Sequence, residues 1–433
     1  MLPSAAPELW GGVECSLVRV GDGWRDQTVE TGHHDRPADL DLIASAGIRT
    51  LRYPLLWERT APVHPDRSDW DWHDQRLARL RQLGVTPIAG LTHHGSGPQY
   101  TNLLDRGFAD GLAAHAARAA ARYPWVEAWT PVNEPMTTAR FSGLYGHWFP
   151  FHRDEASCLR MVVNQCRATL LAMRAIRRTV PHARLIQTED VGRVFATCRL
   201  ADQAAHENER RWLSLDLLAG RVDRHHPWWP KLLAVGVAEG DLLELLGGDA
   251  APDVVGVNHY VTSDRFLDHR TALYPPHLRG GNGWQEYADT EATRMDLPAD
   301  ETGWLARLRE VWARYRRPIA LTEVHLGDTP EEQVRWLLEA WNAAVTARVE
   351  GVDIRAVTVW ALLGSVDWDS MLRHRRGRYE AGPWDARHDP PRPTLLAEAV
   401  AALARGQGFD HPALGVPGWW RQDDRFHAAA RRA

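Results

Sequence analysis

Residues 130–135, "TPVNEP", run an apolar stretch into Asn133 and Glu134 and stop at Pro135; residues 321–325, "LTEVH", carry Glu323 in the same way. Two carboxyl groups at the ends of buried strands can divide acid and base work if one is held protonated and the other charged. Further chemistry-capable side chains fall at comparable places: Glu14; Arg52 and Trp57; the pair His93 and His94; Glu189 and Asp190; Asn258, His259 and Tyr260; His325; and Trp360, Asp367 and Trp368. No serine lies in a nucleophile-elbow pattern, which argues against acyl transfer. Metal chemistry is the competing class. Adjacent side chains on a strand point to opposite faces, so His93 and His94 are poorly placed to chelate one ion together. No metal ligand set is assigned, and the pairs His33-His34 and His225-His226 are expected in solvated loops.

These residues need a scaffold that gathers strand ends on one rim. Eight short apolar segments recur along the chain, at 8–16, 48–54, 85–92, 125–132, 183–190, 253–260, 318–324 and 354–363, each followed by a helical pattern. Alternating strands and helices imply parallel pairing through right-handed crossovers. Eight such units predict an α/β fold, a single (β/α)8 TIM barrel with enlarged βα loops, whose chemistry sits at the C-terminal ends of the strands. An open doubly wound sheet would need a Gly-rich phosphate loop after a strand, and none is present. Gly47 and Gly84 read as helix C-caps. Strand five is expected to lead into two or three helices over 191–250, and the loop at 261–297 to form a lid or cleft wall. One domain spanning 1–433 is expected, with a tail from about 406 to 433 packing back on the barrel.

Composition narrows the partners. A net charge of −5 and a pI near 6.5 give no basic footprint for nucleic acid, and "RHRRGR" (373–378) reads as a solvated loop. No apolar run is long enough to cross a membrane. The four cysteines share no CxxC spacing, which favours reduced thiols and a cytoplasmic setting. Most of the 21 tryptophans are expected to pack the core or wall the cleft.

At this point the motifs resemble a family. "AWTPVNEP" and "PIALTEV" are similar to the acid/base and nucleophile motifs of family 1 glycoside hydrolases, the β-glucosidase-like barrels. "LRYPLLWERTAP", "GLTHHGSGP", "DVVGVNHYVT" and "VWALLGSVDW" resemble that family's motifs at strands two, three, six and eight, in order over roughly residues 9 to 400. The local flavour of "WGGVECS" and "PGWW" is similar to a divergent bacterial branch sometimes fused to sugar-nucleotide reductases.

The resemblance implies a retaining β-glycosidase, with Glu323 as nucleophile and Glu134 as acid/base. Arg52 and Tyr260 would hold Glu323 anionic, and Asn133 would bind the sugar's 2-hydroxyl. His93, His94, Asn258, Trp360, Asp367 and Trp368 would line the sugar site. The substrate would be a small-molecule glycoside or oligosaccharide, with no cofactor. Each assignment has a plainer alternative. Glu134 could serve a helix dipole, Glu323 could be a structural partner of Arg52, and the indoles could be core filler. Glu14, Glu189 and Asp190 are candidates for supporting roles.

Departures from the family pattern are specific. Val18 or Arg19 stands near the usual strand-one Gln, His94 replaces a Trp, Val324 follows the nucleophile where an Asn is usual, and Asp367 replaces a Glu. They imply an unusual sugar or aglycone. A transglycosylase using the same carboxylates and a sugar-binding barrel without turnover remain as alternatives; a metal-dependent barrel hydrolase is the most distant.

Overall fold

The computed structural model describes residues 6–427. Eight parallel strands close into a barrel: β1 Glu8–Gly12, β2 Thr50–Pro54, β3 Thr86–His93, β4 Ala128–Asn133, β5 Arg184–Asp190, β6 Val254–Asn258, β7 Ile319–Val324 and β8 Ile354–Val359. Each pairs with its sequence neighbours, and β8 returns to β1 through Glu8–Gly11 against Ala356–Val359. The expected strand order holds. Several strands stop short of their apolar segments, β1 at Gly12 and β8 at Val359.

Side chains of alternate residues fill the barrel in layers. Trp10, Ile88, Ala128, Ile186, Val254, Ala320 and Ala356, one from each strand except β2, form an apolar floor. Two residues further along each strand the same face carries smaller or polar groups. Gly12 lies against the Trp360 ring, and Gly256 lies between Thr188 and Thr322. A second, larger core lies between barrel and helices, where Leu, Ile, Val, Ala and Trp from both layers are buried. Helices Asp39–Ser45, Asp71–Gln82, Phe108–Arg122, Glu155–Thr179, Gly303–Tyr315, Pro330–Val349 and Leu395–Ala404 form the outer ring. Gly47 and Gly84 close two of them with φ of 95° and 65°, a region that costs glycine nothing.

The long connections depart from expectation in detail. After β5 come four short helices, Ala201–Arg210, Leu213–Leu218, Trp228–Ala234 and Glu239–Leu246, where two or three were predicted. "HHPWWPK" hides the start of the third, since Pro227 is its N-cap instead of marking a loop. The segment 261–297 is a cleft wall: Arg265–Asp268, Arg279–Gly281 and Glu286–Glu291 join Val194–Ala196 in a four-stranded sheet. His33 is fully buried, between Asp39 Oδ2 and Tyr53 Oη at 2.9 Å each, so the expectation of a solvated pair fails there. His225 is exposed. In the tail, Trp420 is buried against Trp336, and its indole N–H donates to Glu339 at 2.7 Å. Residues 428–433 of the expected tail lie outside the described residues.

The tight layer around Gly256 makes a stability prediction. A Cβ there would stand 2.7 Å from Thr322 Oγ1 and 2.8 Å from Thr188 Cγ2. Gly256→Ala should therefore cost about 1–3 kcal/mol by overpacking, read as a lower urea midpoint. Gly240→Ala, on an exposed helix with nothing within 4 Å, should shift the midpoint upward by up to about 1 kcal/mol. Equal midpoints for both variants would contradict the packing described.

Candidate active site

The ends of β2, β4 and β7 meet through one guanidinium. Arg52 leaves β2 and donates Nη1–H to Glu323 Oε1 at 2.9 Å and to Thr322 O at 2.6 Å, while its Nη2–H reaches Asn133 Oδ1 at 2.8 Å. Glu323 is aimed inward by a register shift in β7. Leu321 faces Val257, yet Glu323 already faces Asn258, so an extra residue is accommodated. A bulge of this kind re-aims a side chain. It lets Thr322 and Glu323 both turn to the barrel axis, while Val324 stays buried in the outer core.

Glu134 is positioned by backbone that few residues adopt. Its φ is 47° and ψ 65°, directly before Pro135, which disfavours the right-handed helical region for the preceding residue. Although Glu134 stands at the N-cap of the helix Pro135–Ala139, its side chain makes no capping bond. Its Oε1 accepts from Asn258 Nδ2 at 2.7 Å. Glu134 thus stands at the helix N-terminus without capping it. The capping work falls to Glu189, whose carboxylate accepts Met136 N–H at 2.8 Å, Thr137 N–H at 3.3 Å and Ser214 Oγ–H at 2.6 Å. Glu189 holds the turn that presents Glu134. Asp190 accepts from Gly192 N and Ser263 Oγ at 2.9 and 2.8 Å and fixes the loops at the cleft wall.

Burial pushes both central carboxyls up from the ordinary carboxylate range. At Glu323 the Arg52 charge and the Tyr260 hydroxyl, which donates to Oε2, oppose that rise. At Glu134 the negative charges of Glu323, Glu189 and Asp190 add to it, and only the Asn258 bond works the other way. Glu134 is therefore the group that keeps its proton, and Glu323 the group that loses it first.

His93 and His94 share the site instead of facing apart. His94 lies just beyond β3 with φ of 59°, which breaks strand alternation. The two rings stand 4.7 Å apart, and Asn133 Nδ2 lies 3.2 Å from His93 Nε2 and 3.4 Å from His94 Nε2. Burial depresses both imidazoles, His94 to about 3, so both are neutral. His94 Nε2 at 3.7 Å from Glu134 Oε2 is accordingly not an ion pair. Among the described residues no three His, Cys, Asp or Glu side chains are grouped to hold a metal ion.

The remaining predicted residues divide. Trp360 lies under the site, stacked on His93 at 5.3 Å and capped by the Arg52 guanidinium at 4.6 Å. Trp368 borders the cleft edge-on to His94 and Trp148. Asp367 corrects the expectation of a sugar ligand: it is 1% exposed, and its carboxylate accepts from Arg25 Nη2 at 3.0 Å and from the backbone N–H groups of Arg376, Gly377 and Arg378. It folds the loop after β8 and leaves Asp369 to line the cleft. Val18 is buried with Trp148 and Leu372, and Arg19 lies on Phe149, so neither reaches the cleft. Trp57 and His259 are core residues; Trp57 packs on Phe108 and His259 on Trp304.

All of this opens into one cavity of about 1030 Å³, lined at its inner end by Glu14, His94, Glu134, Tyr260, Glu323 and Trp360. Arg140 and Tyr145 line it further out. Sequence reasoning did not single them out, because the irregular turn Arg140–Leu144 follows no periodic pattern.

Comparison with known proteins agrees with this geometry. Residues 20–380 match the model of glycosyl hydrolase family 1. β-Glucosidase A of Thermotoga maritima is 26% identical over 397 residues, covering 81% of either chain, and β-glucosidase 4 of Oryza sativa subsp. japonica is 22% identical over 420 residues, 85% of this chain and 84% of the relative. The solved structure of the Thermotoga maritima β-glucosidase with deoxynojirimycin superposes with a TM-score of 0.74 at 18% identity, covering 94% of this chain and 99% of that one. Spanning most of its length with that family's model and closed into the same barrel, the chain belongs to glycosyl hydrolase family 1 and is a glycosidase.

Proposed function

We propose that the protein is a retaining β-glycosidase working by double displacement, with Glu323 as nucleophile and Glu134 as acid/base. The observation that carries this reading is the unequal treatment of two carboxyls on one cavity. Glu323 has a cation and a phenol to stabilise its charge, and Glu134 has neighbouring anions to keep its proton. A retaining enzyme needs two such groups about 5 Å apart.

In the first step Glu323 attacks the anomeric carbon and forms an ester, while the bond to the leaving oxygen breaks and Glu134 protonates it. In the second, water attacks the anomeric carbon, Glu134 takes the water's proton, and Glu323 departs as carboxylate. In this reading His93 and Asn133, buried directly behind His94 and Glu134, bind ring hydroxyls, Asn133 the 2-hydroxyl. Hydrogen bonds there strengthen as the transition state forms.

The sugar or the aglycone is proposed to be non-standard. His94 stands where the family has an indole, and Asp367 is engaged in its own loop. A pocket built on specific hydrogen bonds rejects sugars that leave them unpaired, so an altered set shifts specificity instead of broadening it.

Incubation with a panel of 2-deoxy-2-fluoro glycosyl fluorides should add a single sugar to the wild-type mass and nothing to Glu323→Gln. No adduct with any sugar, while calorimetry still detects binding, would favour a barrel that binds without turnover.

The rate should follow a bell in pH. Falling pH protonates Glu323 and abolishes the nucleophile; rising pH strips Glu134 and abolishes the acid. Since burial raises both groups, both limbs should lie above the ordinary carboxylate value of about 4.5. Glu134→Gln should lose the alkaline limb and about 10²–10⁴ of kcat/KM on glycosides with poor leaving groups. An unchanged alkaline limb in that variant would reassign the acid.

A further inference from the structure

Glu14 is a buried titratable group at the inner end of the cavity that the mechanism does not use. It lies two residues past the end of β1, on the strand face of Gly12, whose missing side chain lets the Trp360 ring approach. It is 4% exposed, and what exposure it has is to the cavity it lines together with Glu134, Tyr260, Glu323 and Trp360. One oxygen, Oε1, accepts Ser16 N–H at 2.8 Å. The Trp360 side chain also hydrogen-bonds to the carboxyl; a carboxylate offers about four acceptor positions, so part of its capacity still faces the space a sugar would fill.

The charge balance around it is unusual. Glu14, Glu134 and Glu323 place three carboxyl groups at one end of the cavity. The guanidinium nearest them, Arg52, is already committed to Glu323, Asn133 and the backbone of Thr322. The two imidazoles beside it are neutral. Burial, with the Glu323 charge adding, lifts Glu14 to about 7. An anchor for the Ser16 loop alone would not require a charged group; a Gln would accept the same N–H. A buried acid placed here without a cation of its own is suited to a cation that arrives with the ligand.

We infer that Glu14 is a specificity-determining residue that contacts the sugar in the innermost subsite, and that it selects a glycoside whose sugar carries a basic amino group in place of a ring hydroxyl. The inference rests on the retaining-glycosidase reading of the same site. On binding, the sugar ammonium donates to the free lone pairs of Glu14 and lies over the Trp360 edge of the pocket. The Glu14 proton is displaced to solvent. Preference for the amino sugar should accordingly rise as pH passes upward through the Glu14 range, for as long as the amine itself stays protonated.

The test compares aryl β-glycosides that differ only in bearing a hydroxyl or an amino group at C3, C4 or C6, on wild type, Glu14→Gln and Glu14→Asp. Gln keeps the Ser16 bond and removes the charge; Asp keeps the charge and shortens the reach. The expected result is that one amino isomer exceeds its hydroxyl counterpart in kcat/KM by tenfold or more on wild type. Glu14→Gln should erase or invert that ratio, and Glu14→Asp should restore part of it. The ratio is insensitive to a general loss of stability, which would lower both substrates together.

Should no amino isomer be preferred by wild type, or should Glu14→Gln lower all substrates equally, Glu14 is a loop anchor and the inference is overturned. If Glu14→Gln does not fold, a Glu14→Asp ratio identical to that of wild type overturns it as well. The underlying reading is checked separately by mass. A fluoro-sugar adduct that forms on wild type and not on Glu323→Gln upholds the retaining mechanism whatever the Glu14 ratio. No adduct from any reagent, amino sugars included, overturns both.

Discussion

The site depends on a guanidinium that is 95% buried and crosses the mouth of the barrel. β2 is a neighbour of neither β4 nor β7, so Arg52 has to span the opening to reach Asn133 and Glu323. A buried cation is tolerated only where acceptors surround it. Thr322 O, Glu323 Oε1 and Asn133 Oδ1 supply them, and in doing so Arg52 fixes three strand ends relative to one another. Removing the Glu323 carboxylate would leave the guanidinium charge unpaired in a dry place, at a cost of about 3–5 kcal/mol for a broken buried pair. The interaction that keeps Glu323 anionic is the same one that holds the rim in shape. Structural and catalytic readings of the Arg52–Glu323 pair are not alternatives here.

The amides between the carboxyls are oriented by threonines one layer below. Thr188 Oγ1–H donates to Asn133 Oδ1 at 2.7 Å, and Thr322 Oγ1–H donates to Asn258 Oδ1 at 2.6 Å. Both amide oxygens are thereby occupied from beneath, and both NH₂ groups turn upward. For Asn133 that aims donors at His93 and His94. For Asn258 it aims a donor at Glu134 Oε1, so the proton that Glu134 retains belongs on Oε2, the oxygen nearer His94. The proton's location follows from the Thr322–Asn258 bond beneath the carboxyl. Gly256 makes this layer possible, because any side chain there would displace the two threonines.

What the sequence made legible was whatever depends on local pattern. Eight apolar runs alternating with amphipathic ones gave the closed barrel, and polar residues at the run ends gave Arg52, Asn133, Glu134, Asn258, Tyr260 and Glu323, all of which converge. What it hid depended on backbone breaking its own pattern. Strict alternation put His93 and His94 on opposite faces, yet the positive φ of His94 turns both inward. Alternation likewise cannot place Thr322 and Glu323 on one face; the β7 bulge does. His33 looked like a loop residue because its partners, Asp39 and Tyr53, lie in a helix and a strand that only folding brings together. Asp367 looked like a sugar ligand from its place beside Trp368, and the N–H groups that claim it come from a loop whose composition signals only solvent exposure.

That last case bears on how specificity is distributed. A carboxylate that accepts from Arg25 and three successive backbone groups cannot also present its oxygens to a sugar. The loop after β8 therefore gains a rigid fold, with Leu372 and Met371 closing over Val18 and Trp148, and in exchange its acid is withdrawn from the cavity. From the neighbouring strand, β1 contributes Glu14, which reaches the cavity beside Trp360, whose ring lies against Gly12. The acid that lines the cavity at the closing seam is thus Glu14, just past the end of β1, and not Asp367 in the loop after the neighbouring β8. Side chains fixed on rigid strand ends and side chains carried by the loops beyond them can therefore vary independently around one cavity in this barrel.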